Sequence, residues 1–492
     1  TYTVVLVLAD SNDLLLFTNN GSLYTCKNEK NQIAFASEKR FLKHLHLFKD
    51  APIDHIKSNH FIKINLESME VKGSSFNELS DEVAIPIHFN NSRKKLSRLD
   101  NVIKPEQLFS LGNVRDLKSI PQSFLKHEEN LTEAVSQLKR CSRCLLPATF
   151  PFISFDNDGV CSVCHEYKTI QHKGEKELHK LADFHRKDNG EPDCVVALSG
   201  GRDSCYTLHY VVKELNLNPI AYTYEWGMVT DLARRNIYRL CGDLGVEHIL
   251  VSADINKKRR NIQRNINAWL KKPHLGMIPL FMSGDKQYIS NALKVAKEND
   301  SPLVIFGYNP YEHTGFKSRF AGVDHGNKLY YQIGLKKKLS IVKFYLSQFL
   351  SNSGYLNPSL IDTFDAFLSS YLTNRDYVKL FTYINWDEDH IQETLNKNYN
   401  WEKALDTDST WRIGDGTASF YNYIYYSMVG FTENDTFYSN MIREKKINRL
   451  LALKIVNNSN KPRFDSIKWY CDIVGLDFLE VVSRINQFDR HF

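Results

Sequence analysis

An apolar run from Asp193 to Leu198 ends on Ser199-Gly200-Gly201-Arg202-Asp203-Ser204, and apolar residues at helical spacing (Leu208, Val211, Val212, Leu215) follow directly. A buried strand that enters a helix through two glycines leaves few folds open. The strand must be covered on both faces, and the helix must return over the sheet. Two glycines let the backbone turn tightly, with positive φ expected at Gly201, so that successive N–H groups converge on an anion. The helix N-terminus adds partial positive charge, and Ser199 and Ser204 add hydroxyls. No Lys follows the glycines, so this is not the G-x4-G-K-[ST] loop. The plainer alternative is a glycine turn capped by Asp203 or Ser204.

The alternation continues. Pro219 to Tyr224 reads as a second strand, and Ile237, Leu240, Cys241 and Leu244 mark a helix. His248 to Val251 is a third strand, Lys286 to Asn299 a helix, and Pro302 to Phe306 a fourth strand. The expected fold is α/β, with a parallel doubly wound sheet. Its carboxyl edge gathers the candidate site. Ser199, Gly200, Gly201, Asp203 and Ser204 would hold phosphate. Asp203 could help hold Mg²⁺ or simply serve as a helix N-terminal carboxylate. Tyr224 ends the second strand where an adenine would lie, or is an edge aromatic. Gly307, Asn309 and Glu312 follow the fourth strand, Glu312 as a Mg²⁺ ligand and Asn309 to orient substrate. Lys317 and Arg319 could neutralise phosphate charge. The basic face Lys257 to Arg260 with Arg264, and Lys336 to Lys338, read as solvated helix surface. On this reading Asp203→Ala spares the fold and slows turnover.

Four of the nine cysteines form Cys141-x2-Cys144 and Cys161-x2-Cys164. Two such pairs can close a tetrahedral, structural Zn²⁺ site; four buried free thiols are the alternative, and a redox motif needs only one pair. The other five are scattered, which suits reduced thiols and a cytoplasmic protein. The 492 residues suggest two to three domains, and the net charge of +6 permits phosphorylated ligands without arguing for nucleic acid. No membrane span or signal peptide is legible.

Residues 1–70 read as β-rich, with strands Thr3 to Leu8, Leu14 to Phe17 and Ile33 to Phe35. Asn19-Asn20-Gly21 reads as a hairpin turn, and a short helix opens at Ser37-Glu38. Residues 71–135 form a connector, 136–170 the zinc knuckle and 171–335 the sheet domain. Residues 336–492 are α-rich, with helices near Leu360 to Tyr371 and Tyr421 to Met428. The chain begins at Thr1 in mid-pattern and is expected to be part of a longer parent.

The segment Ser199–Ser204 resembles the S-G-G-x-D-S loop of the PP-loop ATP pyrophosphatases, which cleave ATP between the α and β phosphates and leave AMP on a substrate oxygen. From Cys141 to about Gly475 the chain is similar to one branch, the N-acetyl sugar amidotransferases of bacterial surface-polysaccharide (lipopolysaccharide) biosynthesis. The matching pieces are Cys141-Ser-Arg-Cys144-Leu-Leu-Pro147, Gly159-Val-Cys161-Ser-Val-Cys164, the loop, Gly307-Tyr-Asn309-Pro-Tyr-Glu312-His-Thr314, Ser409-Thr-Trp411-Arg412 and Asn440-Met-Ile-Arg443-Glu444. That resemblance alone assigns Thr314, Trp411, Arg412 and Asp415 to the substrate. Asn20-Gly21-Ser-Leu23-Tyr24 and Ile33-Ala-Phe35-Ala-Ser37-Glu38 look like late strands of a class II glutamine amidotransferase domain, as in asparagine synthetases. Residue 1 is Thr, and Cys26 is misplaced for the nucleophile of such a domain.

These resemblances imply an ATP- and Mg²⁺-dependent, AMP-forming amidotransferase. It would adenylate the carbonyl oxygen of an N-acetyl group on a free or nucleotide-linked sugar and replace AMP with ammonia to give an amidino sugar. Ammonia would come from a glutaminase domain or partner subunit, so free ammonium should serve where glutamine alone does not. The rival readings are a PP-loop RNA-thiolating enzyme, an asparagine synthetase-like amidation of a carboxylate, and a non-catalytic nucleotide-binding scaffold.

Overall fold

The computed structural model describes residues 3–8, 11–18, 23–57, 60–75, 120–312, 314–324, 326, 334–371 and 376–492. The chain divides into two compact units, Thr1–Asp116 with Tyr238–His248, and Leu117–Ile237 with Ile249–Phe492. Thr1, the turn at 19–21 and most of the connector lie outside the described residues.

The first unit is antiparallel. Strands β1 (Thr3–Leu8), β2 (Asp13–Thr18), β6 (His60–Asn65) and β7 (Val71–Ser75) make one sheet, in that order. Strands β3 (Tyr24–Lys27), β4 (Ile33–Ala36) and β5 (Ile53–His55) make another, with β3 central. β2 and β3 therefore flank 19–21 from different sheets. That departs from the expected hairpin, because β2 already has partners on both sides. A short helix, Lys39–Lys43, follows Ser37-Glu38.

The second unit is built on a five-stranded sheet ordered β10–β9–β8–β11–β12: His248–Ser252, Pro219–Glu225, Cys194–Ala197, Leu303–Phe306 and Val378–Lys379. The pairs β8–β9, β8–β11 and β11–β12 run parallel. Every residue of β9 and β11 is buried, as expected of strands with helices over both faces. β12 corrects the expectation that strands cease beyond residue 335. It is two residues long, too short to carry a period, and it pairs with β11, which would otherwise end the sheet with unpaired backbone groups.

Among the described residues, eight helices of at least eight residues follow position 334. Ala418–Val429 is buried on every side, the signature of a central helix. One hydrophobic cluster joins knuckle residues (Cys141, Leu146, Phe150), the sheet (Val195, Ile220, Val304) and C-terminal helices (Phe420, Tyr470, Val482). The basic stretch from Lys257 is only partly solvated. Lys258 is buried against Asp362 at 2.5 Å, and Arg259 donates to the Gly227 carbonyl at 2.9 and 3.1 Å. Among the described residues no helix is long and apolar enough to cross a membrane.

Close backbone approach sets the loop after β8. Gly200 has φ 76°, and a Cβ there would lie 2.3 Å from the Ala233 carbonyl oxygen. Gly201, where positive φ was expected, has φ −75° and ψ 161°. The left-handed step falls one residue earlier, where the chain passes under the helix Asp231–Leu244. Gly200→Ala should therefore lower unfolding free energy by more than ~2 kcal/mol in urea titration. Gly190→Ala, also at positive φ (73°) but with nothing within 4 Å of the added Cβ, should cost about 1 kcal/mol. Equal losses would show that packing against Ala233 is not what fixes the loop.

Candidate active site and metal centre

Strand order reverses at β8: β9 and β10 extend to one side of it, β11 and β12 to the other. A crevice opens outside the carboxyl ends of the strands at such a switch point. There the helix Arg202–Lys213 begins with Gly201 as N-cap and no side-chain cap. Ser204 does not cap it: its hydroxyl accepts from Ser199 N at 3.1 Å and donates to the Gly201 carbonyl at 3.0 Å. The first-turn N–H groups are left in the arrangement that binds phosphate. Gly414 closes over the loop, where a Cβ would lie 3.1 Å from the Ser199 carbonyl. Gly307 lies against the helix, where a Cβ would meet Asp203 O at 2.6 Å.

Arg202 points inward, 2% exposed. Its Nε and Nη2 reach Asp203 at 3.0 and 3.2 Å, and Nη1 donates to Thr410 at 2.5 Å and to Glu388. The guanidinium lies 4.8 Å from the centroids of both Trp386 and Trp411. Burial opposes its charge, but Asp203 and Glu388 outweigh that and raise its pKa further. Asp203 also accepts from Trp386 Nε1 at 2.7 Å and Asn309 Nδ2 at 3.2 Å. Removing Asp203 strips a buried cation of its two-pronged partner, so the fold is not indifferent to Asp203→Ala.

A cavity of about 1350 Å³ opens over the loop. Its wall brings together Ser199, Gly201, Asp203, Ser204, Tyr224, Gly307, Asn309, Glu312, Thr314, Lys317, Arg412 and Asp415. Gly200 and Trp411 are not in the wall. Trp411 lies behind it, stacked on Phe437 at 4.8 Å, and supports Arg202. Arg319 is also elsewhere, bonded to Asp324 at 3.1 Å and to the carbonyls of Pro151 and Gly326. His313 lies outside the described residues.

The far wall depends on Glu433, which the sequence reading missed. This carboxylate has no solvent exposure. Lys317 Nζ is 2.7 Å from it, Tyr421 donates to it at 2.6 Å, and Arg412 Nε lies 3.8 Å away. Burial pushes its pKa up, but Lys317 and Arg412 overcome this and hold it near 2. Arg412 also reaches Glu312 at 3.4 Å. Burial, with Asp203 nearby, raises the Glu312 pKa against the pull of Arg412. Two acids facing one cavity, one of them disfavoured as an anion, suit a divalent cation. Glu312 is the freer ligand, because donors already occupy Asp203. Asp285, also in the wall, is likewise raised by burial. Helices and loops far apart in sequence supply these groups, and no local pattern announced Glu433, Asp285, Trp386 or Glu388.

The four knuckle cysteines are buried, with sulfurs all within 4.8 Å of one another. Cys141–Cys164 and Cys144–Cys161 are 3.9 and 3.8 Å apart. That is far beyond disulfide length but close to the ~3.8 Å edge of a tetrahedron of ~2.3 Å Zn–S bonds. Cys144 N and Cys161 N donate to Cys141 Sγ, while Arg443 donates to Cys144 and Cys164 Sγ, both at 3.2 Å. These donors fit a site of net negative thiolates. By contrast Cys205, next to the Ser199–Ser204 loop, is wholly buried and its thiol is pushed up to about 12 by that burial. Such a thiol is a poor nucleophile.

Two outcomes follow. Protein purified without chelator should carry one zinc per chain by elemental analysis, and Cys141→Ser should lose both metal and thermal stability; metal-free native protein would exclude the assignment. Glu433→Gln should cost ~3–5 kcal/mol, because Lys317 and Arg412 lose a buried partner. With a depressed pKa, Glu433 contributes stability that is full above the unfolded value of about 4.3 and is lost as pH falls towards 2. The wild-type minus variant difference in unfolding free energy should therefore shrink between pH 5 and 2. A pH-independent difference would remove the ion-pair account.

No family model matches the chain, and no curated protein matches it. Among solved structures, an NH3-dependent NAD synthetase from Campylobacter jejuni subsp. jejuni NCTC 11168, in complex with the nitrate ion, is 19% identical. The match covers 41% of this chain and 97% of that one, with a TM-score of 0.20, a likeness too loose to carry a conclusion.

Proposed function

We propose that the chain is an ATP-dependent, AMP-forming amidotransferase of the PP-loop type, acting on the N-acetyl group of a sugar. One observation carries the reading: the uncapped start of the helix Arg202–Lys213 opens, at the switch point, into a cavity that also presents Glu312, Lys317 and Arg412. A phosphate chain needs the first, and a leaving pyrophosphate needs the cations. The loop N–H groups and Ser199 would grip the β and γ phosphates. Glu312 would hold Mg²⁺, which neutralises charge on the phosphates when bound. Lys317 and Arg412 would stabilise the charge that gathers as the carbonyl oxygen bonds to the α-phosphorus and pyrophosphate departs. Ammonia then adds to the adenylated carbon, loses a proton, and AMP leaves with the former carbonyl oxygen. Tyr222, buried in the wall with a hydroxyl that finds no partner among the described residues, is available to the nucleotide or the acceptor. The inert Cys205 weighs against a thiolation chemistry.

The sugar acceptor, the polysaccharide setting and an external ammonia source rest on the motif resemblance. With ATP, Mg²⁺ and ammonium, acetamido sugars should release pyrophosphate and give an amidine detectable by mass. Glu312→Gln should lower kcat about 100-fold, ~2.7 kcal/mol of transition-state stabilisation, with little change in thermal midpoint. Pyrophosphate release without acceptor dependence would point instead to simple ATP hydrolysis, and unchanged release in Glu312→Gln would remove its Mg²⁺ role.

A further inference from the structure

The cavity does not end with its polar wall. It runs on along the helices Leu335–Ser351 and Ser359–Tyr371 and the segment between them, where Leu346, Leu350, Leu356 and Phe364 line it while remaining 55%, 85%, 58% and 61% exposed. At about 1350 Å³ the whole space exceeds the roughly 300–1,000 Å³ usual for a single small ligand. It has room for a nucleotide and a second, largely apolar occupant.

The exposed apolar surface is not a consequence of loose docking. The helix Ser359–Tyr371 is inside out: its polar Ser359, Asp362 and Ser369 are buried, while Ile361 and Phe364 face out. Buried polar bonds hold it so. Asp362 takes Lys258 at 2.5 Å and Asn261 at 2.7 Å, and Ser359 donates to Asn265 at 2.8 Å. Turning the apolar side inward would orphan these groups, so the fold maintains an apolar wall towards the opening. This wall is tied to the nucleotide end. The Tyr224 hydroxyl donates to Gln287 at 2.7 Å, and Gln287 donates to Asp365 on the same helix at 2.8 Å.

We infer that the acceptor is an amphiphile, with an amide-bearing head at the phosphate loop and an extended apolar chain lying along these two helices. The inference rests on the adenylating reading for the head group. The chain's binding stands on the cavity wall itself and can be measured apart from turnover.

The test uses methyl, butyl and octyl glycosides of N-acetylglucosamine below their micellar concentrations. Each buried methylene favours binding by up to roughly fourfold. Pyrophosphate release with ATP, Mg²⁺ and ammonium should show KM for the glycoside falling at least about tenfold from methyl to octyl, with kcat and the KM for ATP unchanged. Leu346→Asp and Phe364→Asn, both at exposed positions, should abolish the chain-length dependence and leave the methyl glycoside's KM as it was. Octyl glycoside binding is also followed without ATP, by fluorescence of the wall residue Trp226. If no sugar releases pyrophosphate but octyl binding persists and is lost in Leu346→Asp, the adenylation reading fails and the apolar subsite stands. A KM and a fluorescence titration both indifferent to chain length overturn the inference. So does a dimer that Leu350→Asp dissociates without any chain-length effect, since a second copy would then cover the face.

Discussion

An ionised carboxylate with no access to water survives only if the protein replaces its hydration, and Glu433 is such a group. Its stabilisers, Lys317, Arg412 and Tyr421, come from three other segments of the chain. Each also faces the cavity over the phosphate loop. The desolvation cost of Glu433 is met by two cations and a phenol, which it draws into the cavity wall. Arg412, at φ 55°, is held in a backbone region that side chains other than glycine rarely adopt. Its ion pairs with Glu312 and Glu433 are set against that backbone strain.

The helix that begins at Glu433 ends at Arg443, and this joins the cysteine cluster to the same cavity. Arg443 donates to two knuckle sulfurs and, through Nη1, to Asn440 at 2.8 Å. Asn440 in turn donates to the Tyr311 carbonyl at 2.9 Å, one residue from Glu312. Arg140 from the knuckle pairs with the buried Asp435 at 2.5 Å in the helix's first turn. The four-cysteine knuckle acts as a clamp on the helix that carries Glu433.

Around the Ser199–Ser204 loop the decisive contacts are close backbone approaches at glycine. Gly200 passes beneath Ala233 and Gly307 lies on Asp203, each at a distance no side chain would permit, and Gly414 covers Ser199 at a tight but less restrictive distance. Behind the loop Arg202, packed against the neighbouring rings of Trp386 and Trp411, anchors the helix start from inside. The glycine backbone of the loop is thus closely packed while its underside is pinned by a buried ion pair.

Local chemistry was legible in the sequence. The strand–glycine–helix junction, the alternation that follows it and the paired cysteine spacing depend on residues within a few positions of one another, and the sheet and the sulfur cluster stand where they indicate. The residues that tertiary structure alone decided lack such a signature. Glu433 looks like an ordinary surface acid in sequence, and only its burial marks it. Trp411 shares a motif with Arg412 yet points away from the cavity, because adjacent residues face different ways and a motif does not say which faces the ligand. Lys258 reads as one charge in a basic run, but its place on the inner face of its helix makes it the partner of Asp362. A two-residue strand such as β12 exists only because a neighbouring edge is open to it. Spacing along the chain fixes what a segment can form by itself. Which charges are taken out of water, and what they are paired with, is settled only when distant segments meet.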